Sequence, residues 1–103
     1  MKIWVDDTRP TPDGYIGFMT TNEALRFITH YYGSIELVDL DHDAGDCATL
    51  GGDYINILNE LERLTKVRGM DFSHIKFRFH SANPVGIENM RRVIERNGWT
   101  EVK

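Results

Sequence analysis

Three short polar clusters combine residue types that bind cations and move protons: Asp6-Asp7-Thr8-Arg9, Asp39-Leu40-Asp41-His42-Asp43 and His80-Ser81-Ala82-Asn83-Pro84. Each closes an apolar run of strand length, and the C-terminal ends of parallel strands are where α/β sheets collect binding and catalytic groups. If those runs are neighbours, Asp6, Asp7, Asp41, His42, Asp43, His80 and Ser81 share one crevice. Two unit charges about 4 Å apart repel by about 4 kcal/mol at an effective dielectric of about 20, so the carboxylates need compensation. A divalent cation or Arg9 can supply it. Oxygen donors of this kind suit magnesium, manganese or calcium better than zinc, whereas two histidines in the ligand set would favour zinc or manganese unless they serve as acid and base.

The third cluster adds a place for an anion. Backbone amides at a helix start, here Asn83 to Gly86, carry partial positive charge, and Gly86 leaves room for close approach. A phosphate held there, within reach of His42 and His80, would meet two imidazoles able to activate water and protonate a departing alkoxide. Structural readings stand beside these. Asp6 and Asp7 can cap a turn, Asn83-Pro84 can be only a helix start, and a lone histidine is commonly a hydrogen-bonded structural residue. His30 and His74 lie away from the polar clusters and are read as structural. Cys47, in a small-residue loop without a charged partner, is not read as a nucleophile.

The elements that must position these clusters follow from periodicity. Lys2 to Val5 is apolar without alternation, as in a central strand, and the proline-dense Thr8 to Gly14 must be a loop. Tyr15 to Met19 reads as a second strand. Thr20 and Glu23 form a capping box for a helix that buries Ala24, Leu25 and Ile28 and stops at Gly33. Ile35 to Leu40 is the third strand, and the glycine-rich Ala44 to Gly52 is expected to be a mobile loop. Asp53 to Val67 carries Tyr54, Ile57, Leu58, Leu61 and Leu64 at helical spacing. His74 to His80 alternates apolar and polar residues and is read as an edge strand. Asn83 caps a last helix with Pro84 in its first turn, and Trp99 to Lys103 is either a short fifth strand or a packed tail. The order of elements argues a single α/β domain over residues 1–103, a small three-layer sandwich with a mostly parallel sheet and helices on its faces.

Composition narrows the partners. A formal net charge of −4 argues against an extended duplex nucleic-acid footprint while leaving room for a local cationic pocket. One cysteine excludes an internal disulfide, the N-terminus lacks signal-peptide architecture, and no stretch has the length of a membrane span, so the expected setting is cytoplasmic.

The motifs resemble those of the cyclic-phosphate processing receiver-like domains. The resemblance rests on Val5-Asp6-Asp7-Thr8-Arg9-Pro10-Thr11-Pro12, Leu40-Asp41-His42-Asp43-Ala44-Gly45 and His80-Ser81-Ala82-Asn83-Pro84-Val85-Gly86 with Asn89-Met90. It implies a reduced receiver, flavodoxin-like fold and a role in processing cyclic phosphates on nucleotides or RNA ends. It places Asp6 and Asp7 where receivers hold metal-binding acids, Asp41 at the phospho-accepting position and Ser81 beside the phosphoryl group. The chain departs from the pattern at Ala44, where leucine is usual, and has no secure counterpart of the receiver lysine beyond Lys103. The expectation is a metal-assisted phosphoesterase using magnesium or manganese. Asp6, Asp7 and Asp41 would hold the metal, His42 and His80 would form the acid–base pair beside Asp41 and Asp43, and Arg9, Ser81, Asn83 and Gly86 would hold the phosphate. A phospho-accepting signalling module and a non-catalytic cyclic-nucleotide-binding protein are the alternatives. Strand alternation adds a condition: Asp39, Asp41 and Asp43 face one way and His42 the other, so the chain must turn at Asp41-His42 to bring His42 towards His80. Asp39, inside the strand, is the residue least expected to touch substrate.

Overall fold

Four of the apolar runs become strands of one parallel sheet, completed by a two-residue fifth strand; the computed structural model describes all 103 residues. The strands are β1 (Lys2–Val5), β2 (Tyr15–Phe18), β3 (Leu37–Leu40), β4 (Lys76–Phe79) and β5 (Thr100–Glu101), in spatial order β2-β1-β3-β4-β5. Three helices connect them: α1 (Thr21–Tyr31), α2 (Ile55–Arg68) and α3 (Pro84–Arg96). None is long and apolar enough to cross a membrane. The helix starts are those the capping residues specify: Thr20 accepts from the Glu23 amide and Asn83 Oδ1 from the Gly86 amide. α2 ends where Gly69 adopts a left-handed φ of 67° and returns its N–H to the last turn.

The connectivity decides where the helices lie. From β2 the chain crosses β1 to β3, then steps to β4 and β5, always in the same direction along the sheet. Right-handed crossovers taken in one direction stack their helices on one face. α1 accordingly packs on α2 and α2 on α3, over the fully buried Ile3, Val5, Val38, Leu40 and Phe77. The opposite face carries Lys2, Trp4, Leu37, Lys76 and Arg78, all exposed or half-buried, and no helix covers it. The flavodoxin-like sheet is thus present, and its reduction consists in the missing helical layer on that face.

Two expectations change with this topology. The sandwich has two layers and not three, because the helices share one face of the sheet. β4 is not an edge strand, since it pairs with β3 on one side and β5 on the other. Its alternation reflects a sheet with one helix-covered face, which produces the same pattern as an edge. Ala44 to Gly52, expected to be a mobile loop beside the site, contains a 3-10 turn at Gly45–Thr49, with Ala44 fully buried and its amide donating to Asp53 Oδ1 at 2.9 Å. Tyr54, at the start of α2, is buried and donates its hydroxyl to the Met19 carbonyl at 2.6 Å. Burial pushes that phenol above its ordinary pKa.

Candidate functional site

Three backbone hydrogen bonds beyond the strand ends align the polar clusters. Asp6 donates its N–H to Phe18, Asp41 to Val5 and His80 to Leu40, at 3.0 to 3.1 Å. Asp6, Asp41 and His80 therefore emerge side by side at the C-terminal edge of β1, β3 and β4.

On the uncovered side of that edge, His80 is held between two carboxylates. Its Nδ1 lies 2.6 Å from Asp39 Oδ1 and its Nε2 2.9 Å from Asp6 Oδ2, while its ring stacks on Trp4 at 3.8 Å between centroids and 3° between planes. Ionised carboxylates only accept hydrogen bonds, so both ring nitrogens carry protons and the ring is an imidazolium. Burial opposes that charge, but the hydrogen bonds to Asp39 and Asp6 outweigh it and raise the His80 pKa above its ordinary value. For Asp6, burial pushes upward, yet the Thr8 and Arg9 amides and the His80 ring hold it down at about 2. Arg9 completes the neutralisation, its Nη1 lying 3.2 Å from Asp6 Oδ2, 3.5 Å from Asp41 Oδ2 and 3.0 Å from the His80 carbonyl.

These shifts give the cluster a stability window. The depressed carboxyl contributes fully above the unfolded value of about 3.9 and loses its contribution as pH falls towards 2. The raised imidazole contributes fully below the unfolded value of about 6.5 and loses its contribution as pH rises through the folded value. In chelator-treated protein, the gap in thermal midpoint between wild type and His80→Phe is expected to be widest between about pH 4 and about pH 6.5. A gap that stays flat from about pH 3 to about pH 9 would contradict this linkage.

His42 sits elsewhere. The chain bends at His42, whose amide donates to Asp41 Oδ1 at 2.8 Å and whose carbonyl accepts from the Tyr54 amide at 2.9 Å. The bend carries the ring to the helix side, against the first turn of α3, where a Cβ on Gly86 would overlap it. Gly86→Ala is therefore expected to displace the ring and cost about 1–3 kcal/mol, as overpacking does, read from denaturant midpoints. His42 Nδ1 is 2.7 Å from Asp43 Oδ1. That hydrogen bond, ahead of a smaller opposing effect of burial, lowers the Asp43 pKa, and Asn83 assists at 3.4 Å. Because the carboxylate must accept, Nδ1 carries a proton, and Nε2, with no partner in the protein, presents a lone pair whenever the ring is neutral.

The expected pairing of the two imidazoles is therefore not formed. The turn is present, but it sends His42 towards α3 while His80 lies on Trp4 on the other face with both nitrogens engaged. The helix-start amides also differ from expectation. Asn83 N–H donates to Ser81 Oγ, Gly86 N–H to Asn83 Oδ1 and Ile87 N–H to the Asn83 carbonyl, so the chain's own groups occupy these three and, Pro84 having no N–H, the Val85 N–H alone of the expected set has no partner within the chain. Ser81 accepts there, which leaves its hydroxyl proton free to donate. Asp39, read from the sequence as remote, is a direct partner of His80, and Trp4 forms the floor beneath it. The register could have shown this pair, since Asp39 lies opposite Trp4 in β1 and Arg78 in β4, two residues before His80.

One oxygen each from Asp6, Asp7 and Asp41 lies within 4.8 Å of the others. A Cβ at Gly45 would press on Asp7 Oδ2, so the glycine gives that carboxylate its room. Together with Asp39, four carboxylates face the two cations Arg9 and His80, an excess of two negative charges. Hard oxygen donors with that excess fit one divalent cation of the magnesium or manganese type. His42, Asp43 and Asp53 form a second close group, of mixed nitrogen and oxygen donors.

A family model described as cyclic-phosphate processing receiver domain matches residues 1–96. No curated protein and no solved structure matches the chain.

Proposed function

The chain belongs to the cyclic-phosphate processing receiver domains, and on that premise we propose that it hydrolyses a cyclic phosphate carried by a nucleotide or an RNA end, with His42 as the proton-transfer group. The observation that carries the reading is the His42–Asp43 pair: Nδ1 anchored at 2.7 Å, Nε2 unpartnered, and the peptide tied to Asp41, a member of the acidic cluster. An imidazole with one nitrogen fixed by a carboxylate presents the other as a base in a defined direction.

In the proposed reaction His42 Nε2 takes a proton from water as its oxygen attacks phosphorus. One ring P–O bond breaks, and the released alkoxide is protonated from solvent, giving a phosphomonoester and a free hydroxyl. A divalent cation at Asp6, Asp7 and Asp41 would supply charge neutralisation to the phosphate oxygens. Arg9 and Ser81 would donate to those oxygens. Asn83 would hold Asp43, and Gly86 would provide the space in which the His42 ring lies. His80 takes a different part from the one first expected: as an imidazolium between Asp39 and Asp6, it would fix the Asp6 carboxylate instead of exchanging protons with substrate.

The test is incubation of the folded protein with 2′,3′-cyclic nucleotides and with RNA ending in a cyclic phosphate, with and without magnesium or manganese. Cation-dependent appearance of a phosphomonoester is expected; no turnover of any cyclic phosphate under these conditions would sink the proposal. Treating the protein with a small phosphodonor separates it from the phospho-accepting alternative, which requires a covalent adduct that Asp41→Asn abolishes.

A further inference from the structure

The sheet face left without helices is built of cations and aromatics. In register across it, Lys2 of β1 lies beside Leu37 of β3, which lies beside Lys76 of β4, and one step on come Trp4, Asp39 and Arg78. Tyr15 of β2 continues the first row on the far side of Lys2. Lys2, Lys76 and Arg78 are exposed and make no ion pair within the protein, although the chain as a whole has a formal net charge of −4. The only carboxylate at the outward strand positions is Asp39, which is buried and already bonded to His80. Trp4 and Tyr15 are half-buried and meet edge to face at 6.0 Å, with the Lys2 ammonium 5.8 Å from the Tyr15 ring centre.

This face runs directly into the proposed site, because Trp4 is the residue on which His80 stacks and His80 is the residue that holds Asp6. Cations that follow a backbone, together with aromatic faces on which bases stack, are the physical requirements for binding single strands without sequence preference. Lys2 and Lys76 stand two strand spacings apart, about 10 Å, and Lys76 and Arg78 about 7 Å apart along one strand. They form a local cationic field and not a duplex-sized footprint, which the acidic remainder of the chain would oppose.

We infer that the uncovered sheet face is a docking platform for single-stranded RNA, which lays its terminal nucleotides across Lys2, Tyr15, Lys76 and Arg78 and delivers its cyclic-phosphate end to the strand termini. The inference rests on the phosphoesterase reading of the site and narrows its substrate class from any cyclic nucleotide to an oligonucleotide end. A mononucleotide would use the site alone, whereas an oligonucleotide would gain the platform.

Two measurements test it. The first is binding of a labelled single-stranded RNA ten-mer with a 3′-hydroxyl, followed by fluorescence anisotropy over a salt series for wild type, K76E/R78E and R68E. Arg68 is exposed and unpaired on the helix side, so R68E controls for a change in overall charge. Three phosphate contacts predict a slope of log K against log salt of about −2, falling to about −0.7 in K76E/R78E. Affinity should fall at least about tenfold in the double variant and change little in R68E. The second measurement is turnover of the same oligomer ending in a cyclic phosphate, beside a 2′,3′-cyclic mononucleotide. K76E/R78E should raise KM for the oligomer by the same factor and leave the mononucleotide unchanged, which also shows that the variant is folded.

Equal RNA binding by wild type and K76E/R78E overturns the inference while leaving the phosphoesterase reading to stand on mononucleotide turnover. An R68E effect as large as that of K76E/R78E overturns it as well, as does a K76E/R78E-sensitive dimer in solution, which would mean that a second copy covers the face. Selective loss of RNA binding in a protein that turns over no cyclic phosphate supports the platform and removes the reaction.

Discussion

His42→Asn is expected to lower kcat on a cyclic phosphate by about 10²- to 10⁴-fold, with little change in KM or in the divalent-cation concentration giving half-maximal rate. The substitution removes the ring nitrogen proposed to receive the proton of water and leaves the local backbone alone. The backbone hydrogen bonds at position 42 are made by its amide to Asp41 and by its carbonyl to Tyr54, and asparagine keeps both groups, so only the side-chain bond to Asp43 is altered. Stability should accordingly stay within about 1 kcal/mol of wild type. Asp43→Asn tests the same pair from its other side. Its amide can donate to Nδ1, which would move the ring proton to Nε2 and block the lone pair, so kcat should fall without loss of folded protein. A His42→Asn enzyme retaining more than about a tenth of wild-type kcat would mean that the proton goes elsewhere.

For His80 the expected signature is different. His80→Phe keeps a flat ring on Trp4 and removes the imidazolium from between the carboxylates of Asp39, at 2 % exposure, and Asp6, at 4 %. Breaking a buried ion pair by deleting one partner typically costs about 3–5 kcal/mol. Arg9 remains on Asp6, so the lower half of that range is expected, measured as a shift of denaturant midpoint at constant slope. Adding Asp39→Leu removes the stranded charge and should recover part of the loss, because an apolar replacement of a whole pair is often near neutral. The catalytic readout separates the two histidines. A residue that positions Asp6 raises the cation concentration needed for half-maximal rate, while an acid or base lowers kcat at saturating cation. Loss of kcat in His80→Phe with unchanged cation dependence would restore His80 as a proton-transfer group.

What the sequence reveals, and what it hides, both follow from strand alternation. Polar clusters after apolar runs identify strand ends, and strand ends of a parallel sheet converge, so Asp6, Asp7, Asp41 and His80 can be placed together from the chain alone. Caps are equally legible, because Thr20 and Asn83 satisfy helix-start amides through local contacts. Partners across strands are not. His80 meets Asp39 through a pairing set by the register of β3 on β4, which no local pattern encodes. A residue inside a strand usually faces packed neighbours, which is why strand position alone sets Asp39 apart from the site; here the face it occupies has no helical layer, and a polar pair fills the space. The same missing layer made β4 resemble an edge. The direction of His42 depended on one bend, and the competing destinations, His80 or Gly86, lie 38 and 44 residues further along the chain.

The Trp4–His80 stack has a practical consequence. An imidazolium 3.8 Å from an indole face is placed to accept charge from the excited ring, so Trp4 emission should be quenched while the Asp39–His80–Asp6 bridge is intact and should change in intensity when the proposed cation, held by Asp6 beside the ring, alters the local charge. The chain's other tryptophan, Trp99, packs against Phe77 and Phe72 in the helix-covered layer and supplies a steady background. A Trp99→Phe protein would then carry a single intrinsic fluorophore on the floor of the site, reporting occupancy without any attached dye.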